Sequence, residues 1–187
     1  MKTLIALAAL ALSAQAQAQA TTYQIDPNHT FAYFEIGHFG ASTNRGRFDK
    51  KEGTVQLDRA AKSGKVEVTL DISSISTGVE NFNKHLQSAD FFDAAKFPTA
   101  KFVGDKFSFD GDKVTEVAGT LTLRGQTHPV MLKATNFNCF NHPMIRREVC
   151  GGDFTTTIKR SQWGITYGPQ VAPDDVRLLI QIEAVKQ

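Results

Sequence analysis

The sequence lacks an excess of charge of either sign. Its 21 Lys and Arg face 19 Asp and Glu, for a formal charge of +2, and no basic block stands out. Nucleic acid rewards a clustered cationic face and is therefore not an expected partner. Long hydrophobic runs are scarce too. The longest, Leu4 to Leu12, has nine residues. As a helix it would reach about 14 Å, roughly half of a hydrocarbon core, so it does not read as a membrane span. Only two cysteines are present, too few for a four-cysteine zinc site or a disulfide-dense miniprotein. The five histidines, His29, His38, His85, His128 and His142, form no H-x-H, H-E-x-x-H or H-x3-H pair. No metal site is expected from them. His29 and His38, nine residues apart, would sit on opposite faces of one strand, about 30 Å from each other. Neither G-x-S-x-G, S-x-x-K nor a glycine-rich phosphate loop occurs. Catalytic residues and a cofactor are therefore not expected.

What is present starts at the N-terminus. Met1-Lys2, the Leu4–Leu12 run and the small residues of Ala18-Gln19-Ala20 have the form of a secretory signal. Cleavage after Ala20 would leave a single domain, residues 21–187, of 167 residues and near-neutral charge. The expected location is periplasmic or secreted. In an oxidising compartment the even pair Cys139 and Cys150 is expected to form a disulfide closing a short loop.

The rest of the chain alternates with period two. Val66, Val68, Leu70 and Ile72 interleave with Glu67, Thr69 and Asp71, as on a strand with one dry face. The same pattern recurs at Val55/Leu57, Ala100/Phe102, Val117–Leu123, Val130–Ala134, Phe154–Ile158 and Val176–Ala184, and Thr30–Phe39 reads as an aromatic-rich strand. Asp110-Gly111 marks a tight hairpin. About eight strands with short links predict an all-β antiparallel fold, closed as a barrel or split as a sandwich. One segment departs from this. Phe82, Leu86 and Ala89 recur at helical spacing, Thr77-Gly78-Val79-Glu80 has capping-box spacing, and Pro98 stops the run. An inserted helix at about 79–95 is expected, packed on the barrel mouth or wall. The long loop from Lys159 to Asp175 should have a job or pack closely.

Phenylalanine is abundant, with 14 in the chain. A solid aromatic core and an apolar cavity for a hydrophobic ligand are equally consistent with that number.

Several motifs stand in order along the whole mature chain. They are Asp26-Pro27-Asn28-His29-Thr30-Phe31, Phe34-Glu35-Ile36-Gly37-His38-Phe39-Gly40, and Arg45-Gly46-Arg47-Phe48. His85-Leu86-Gln87-Ser88-Ala89-Asp90-Phe91-Phe92-Asp93, Phe97-Pro98-Thr99-Ala100-Lys101-Phe102, Gly119-Thr120-Leu121-Thr122-Leu123-Arg124-Gly125 and Arg160-Ser161-Gln162-Trp163-Gly164 follow. Together they resemble the YceI-like family. The family often has Asp-Phe where this chain has Gln162-Trp163, and the Cys139/Cys150 insert is outside its pattern. The resemblance implies a closed lipocalin-like barrel enclosing a long tunnel, a polyisoprenoid or similar long-chain ligand, and no catalysis. On that reading Phe34, Ile36, Phe102, Leu121 and Leu123 point inward. Phe91, Phe92 and Trp163 gate or line the tunnel, and His38, Arg45, Arg47 and Arg160 meet a polar head group. Carrier, sensor and sequestering roles, a homodimer, and transient contact with a membrane or a membrane protein stay open. The alternatives are a lipid-modifying enzyme using His38 or His85, and a filled structural barrel that binds a protein partner.

Overall fold

The computed structural model describes residues 20–187, so the expected signal segment lies, Ala20 apart, outside the described residues. The strands are β1 (Thr21–Ile25), β2 (Phe31–His38), β3 (Ser42–Phe48), β4 (Lys51–Asp58), β5 (Ser63–Asp71) and β6 (Ile75–Ser76). They continue with β7 (Thr99–Asp110), β8 (Lys113–Leu123), β9 (Gln126–Asn141), β10 (Glu148–Lys159) and β11 (Asp175–Lys186).

These eleven segments occupy eight barrel positions. β1 and β2 are one strand broken at Asp26–Thr30, and both pair antiparallel with β11, through Ile25 opposite Ala184 and Phe31 opposite Gln181. β3 and β4 are likewise collinear, pairing with β2 and β1 respectively. β5 and β6 are joined by a turn of 3-10 helix, Ile72–Ser74, where the Asp71 side chain accepts a hydrogen bond from Ser73 N–H. Each position pairs with the next until β11 meets β1 and β2, so the sheet closes into a barrel, although residues 42–46 of β3 and 156–159 of β10 have a partner strand on one side only. The all-β antiparallel barrel is the expected one. Asp110-Gly111 does form a hairpin, with Gly111 at φ +54 in the two-residue link between β7 and β8.

The helix is shorter than expected. α1 covers Glu80–Gln87 rather than 79–95. Ser88 turns to extended backbone (ψ 168), and its hydroxyl donates to the His85 carbonyl. Asp93 at φ +50 turns the chain again before Pro98 is reached. The capping box is also replaced. Val79 sits at the N-cap without a side-chain bond, while Thr77 N–H and hydroxyl donate to Asn83 Oδ1 at 2.8 and 2.7 Å. His29 is not on a strand with His38. It lies in the turn before β2, with Nδ1 2.7 Å from Asp26 Oδ2.

Cys139 and Cys150 face each other across β9 and β10, with Cα atoms 4.1 Å apart, and form the expected disulfide. A loop this short restricts the unfolded chain modestly, so the double variant Cys139→Ser/Cys150→Ser should lose about 2–3 kcal/mol. Urea midpoints of the two proteins check this.

Apolar side chains inside the barrel gather in two clusters. One, at the helix end, contains Phe34, Phe48, Leu86, Leu123 and Trp163. The other, at the opposite end, contains Tyr23, Leu57, Val114, Val117 and Phe154. Phe102 and Leu132 pack against both.

Candidate ligand-binding cavity

The clusters do not fill the barrel. A cavity of about 400 Å³ runs past both of them, a volume in the range of small-molecule sites. The filled-core alternative is thereby corrected. Period-two geometry builds the lining. Successive residues of a strand face opposite sides, so Phe34, Ile36 and His38 of β2 line the cavity together, as do Leu121 and Leu123 of β8. Gly46 of β3 stands opposite Phe34, and a Cβ there would lie 2.4 Å from the Phe34 ring. The missing side chain is what leaves room for that ring beside β3.

Nine of the twelve candidate ligand residues border this cavity: Phe34, Ile36, His38, Phe91, Phe92, Phe102, Leu121, Leu123 and Arg160. Three do not. Arg45 Nε donates to Glu35 Oε1 at 2.8 Å on the outer surface, and this bond holds the Glu35 carboxyl below its usual range. Arg47 Nε donates to Asp49 Oδ1 at 2.7 Å, with its guanidinium 5.1 Å from the Phe31 ring centre. Both arginines alternate with the inward residues Asn44, Gly46 and Phe48, so pleating turns them outward. Trp163 is only 1% exposed, yet it does not face the cavity; its indole N–H donates to the Leu121 carbonyl. It wedges the long loop to the barrel wall rather than gating the interior.

The opening lies at the helix end. Three segments meet there: the β2–β3 turn with His38, α1 with Phe82, His85 and Leu86, and the loop with Tyr167, Gly168 and Val171. His85 stands edge-on to Phe91 at 4.8 Å and to Tyr167 at 5.8 Å between ring centres. His38 stands edge-on to Phe39 at 4.8 Å. Phe39 N–H donates to the Val171 carbonyl at 2.7 Å, tying the turn to the loop.

Arg160 organises that loop. It is a buried cation, 5% exposed, and it donates to four carbonyls: Pro173 through Nε, Ile165 and Tyr167 through Nη1, and Ala172 through Nη2. Its first task is therefore structural. The fixed fork of a guanidinium suits such a cluster of carbonyls.

The other end is closed by Tyr23, Val114 and Val117, each at most 3% exposed. The Tyr23 hydroxyl donates to Glu148 Oε1, whose other oxygen accepts from Arg59 Nη2 at 2.9 Å. Burial first, and then the bond to Glu148, push the Tyr23 phenol up to about 12. A raised folded pKa means this stabilisation is complete below the ordinary phenol pKa of 10.0 and is lost as pH rises towards 12. Unfolding free energy should therefore fall between pH 10 and 12, and Tyr23→Phe should remove that part of the slope in chemical unfolding.

Several cavity residues were legible but not singled out. Val68, Phe154, Leu178 and Ile180 line it and belong to the alternating strands. His85, singled out only for the enzyme alternative, faces it from α1. Tyr167, Gly168 and Val171 line it from a loop without periodicity, and nothing in their spacing marks them.

Comparison with known proteins places this barrel among relatives. Residues 23–184 match the profile of the YceI-like domain. The UPF0312 protein of Pseudomonas putida F1 is 38% identical over 190 residues, covering 100% of this chain and 98% of its own. The crystal structure of Burkholderia cenocepacia BcnA superposes with a TM-score of 0.72 at 23% identity, over 86% of this chain and 99% of that one. A polyisoprenoid binding domain from Saccharophagus degradans, implicated in plant cell wall breakdown, superposes at 0.65 with 16% identity, over 89% and 99%. Both structures share the closed barrel fold.

Proposed function

This chain belongs to the YceI-like domain family, and on that premise we propose that it is an exported lipid-binding protein. Its barrel holds one polyisoprenoid or comparable long-chain amphiphile, as a carrier or sequestering protein. The observation that carries this reading is the cavity itself. It is lined mostly by aliphatic and aromatic side chains from end to end; His38, His85, Asn44 and Tyr167 lie at the open end, while Tyr23 and Thr30 lie toward the closed one, where Tyr23 is bonded to Glu148 and Thr30 to the Glu183 carbonyl. An amphiphile would enter tail first. Each buried methylene contributes about 0.8 kcal/mol, so ten contribute roughly 8 kcal/mol before ordering costs. His38, His85, Asn44 and Tyr167 at the opening suit a polar head group. The two imidazoles are surrounded by aromatic rings rather than by carboxylates. That setting fits head-group contact better than general-base chemistry, which needs an orienting acid. The fold shared with the Saccharophagus degradans polyisoprenoid binding domain supports the same reading.

Purification from the periplasmic fraction of a bacterial host tests both halves of it. Organic extraction is expected to release about one equivalent of a long-chain isoprenoid, and N-terminal sequencing should begin after Ala20. An extract without such a lipid would count against the ligand class. An intact Met1 would count against export.

A further inference from the structure

The cavity opening carries large apolar residues on its outside. Phe39 is 65% exposed, Val79 57% and Tyr167 50%. They come from the three segments that frame the opening. Phe39 belongs to the β2–β3 turn and is tied to Val171. Val79 starts the helix whose Phe82, His85 and Leu86 line the cavity. Tyr167 packs on His85 and Phe91. Phe39 is moreover held at φ +50, a left-handed conformation that costs a bulky residue energy. Charges at this end nearly balance: Glu35 is ion-paired with Arg45 and Arg177, Lys84 with Glu80 and Lys159 with Asp175, while Lys96, Arg124 and Arg160 stand against Asp90, Asp93 and Asp174.

From this rim we infer that the open end docks on an uncharged lipid surface and receives the ligand there. The inference rests on the lipid-binding reading above, because a long isoprenoid dissolves in a bilayer and hardly in water. Exposed aromatic and aliphatic groups around an opening suit the bilayer interface. Nearly balanced charges leave little net field to select anionic head groups, so binding should depend little on salt. The opposite end also exposes apolar groups, Met144 at 85% and Ile145 at 48%, but these lie beside Arg146 and Arg147 on the β9–β10 tip. Among the described residues, no ion pair neutralises those two arginines. That tip suits an anionic surface, whereas the rim suits a neutral one.

The test is flotation with vesicles of phosphatidylcholine and phosphatidylethanolamine at low and high salt. Three proteins are compared: the mature chain, Phe39→Asn/Val79→Ser, and Met144→Ser/Ile145→Ser. The rim substitutions are gentle on the fold, since Asn tolerates the left-handed turn and Ser is a better N-cap than Val. The mature chain and the tip variant are expected to float at either salt, and the rim variant to float at least tenfold less. All three should take up a fluorescent polyprenyl probe added from ethanol. No flotation of the mature chain, equal flotation of the rim variant, or loss confined to the tip variant would overturn the docking face. Absence of probe uptake by all three would instead overturn the cavity reading beneath it.

Discussion

Replacing Leu132 with tryptophan is expected to weaken polyprenyl-probe binding at least tenfold while the barrel stays folded. Leu132 lies on β9, lines the cavity and packs against both apolar clusters. A larger ring there enters space that the ligand would occupy. Tenfold corresponds to about 1.4 kcal/mol, less than the contribution of two buried methylenes, so blocking even a short stretch of the cavity suffices. Overpacking a filled core costs about 1–3 kcal/mol, but here the ring has the cavity to enter, and the cost should fall at the low end. The neighbouring residue supplies the control. Met131 points outward and is 47% exposed, so Met131→Trp should bind the probe as the parent does. Fluorescence titration of the three proteins, with thermal unfolding alongside, reads both parts. Equal binding by Leu132→Trp would remove the ligand from the barrel interior.

Arg160→Met is expected to cost about 3–5 kcal/mol of stability, more than most single substitutions. The methionine keeps the apolar stem but removes every donor. Four carbonyls of the long loop, those of Ile165, Tyr167, Ala172 and Pro173, then lose their partner. An unsatisfied buried acceptor costs about 1–3 kcal/mol, reduced where water can reach it, as it can at the exposed parts of this loop. Arg160→Lys should recover only part of the loss, because an ammonium cannot match a fork spread over four acceptors. The protein has one tryptophan, Trp163, at the base of the same loop. Its emission should shift to the red in Arg160→Met below the global transition, and urea unfolding gives the free energy. A loss under about 1 kcal/mol would show that solvent replaces the guanidinium, contrary to its burial.

The strands were legible because burial on one face writes a period of two. Val66 to Leu70, Val117 to Leu123 and Val176 to Ala184 all appear as strands facing the interior. β3 was not, because Ser42–Phe48 has one large apolar residue and faces the interior with Asn44, Gly46 and Phe48. That same alternation, once Phe48 is placed inside, turns Arg45 and Arg47 outward. Their assignment to the head group therefore missed a signal that was present. β1 is five residues long and alternates only through Tyr23 and Ile25, a weak signal. The helix length was misread because Pro98 looked like its stop, whereas Ser88 and Asp93 had already turned the chain. The opening was the least readable part. Tyr167, Gly168 and Val171 reach it through the carbonyl cluster around Arg160, a tertiary arrangement that leaves no pattern in the sequence.

Native mass spectrometry of residues 21–187 with saturating polyprenol, alongside Leu132→Trp, is the most direct test of ligand binding inside the barrel. One polyprenol per chain is expected, retained on gentle activation, with little or none on Leu132→Trp. A parent protein that stays unliganded, or an adduct of equal abundance on both proteins, would contradict it.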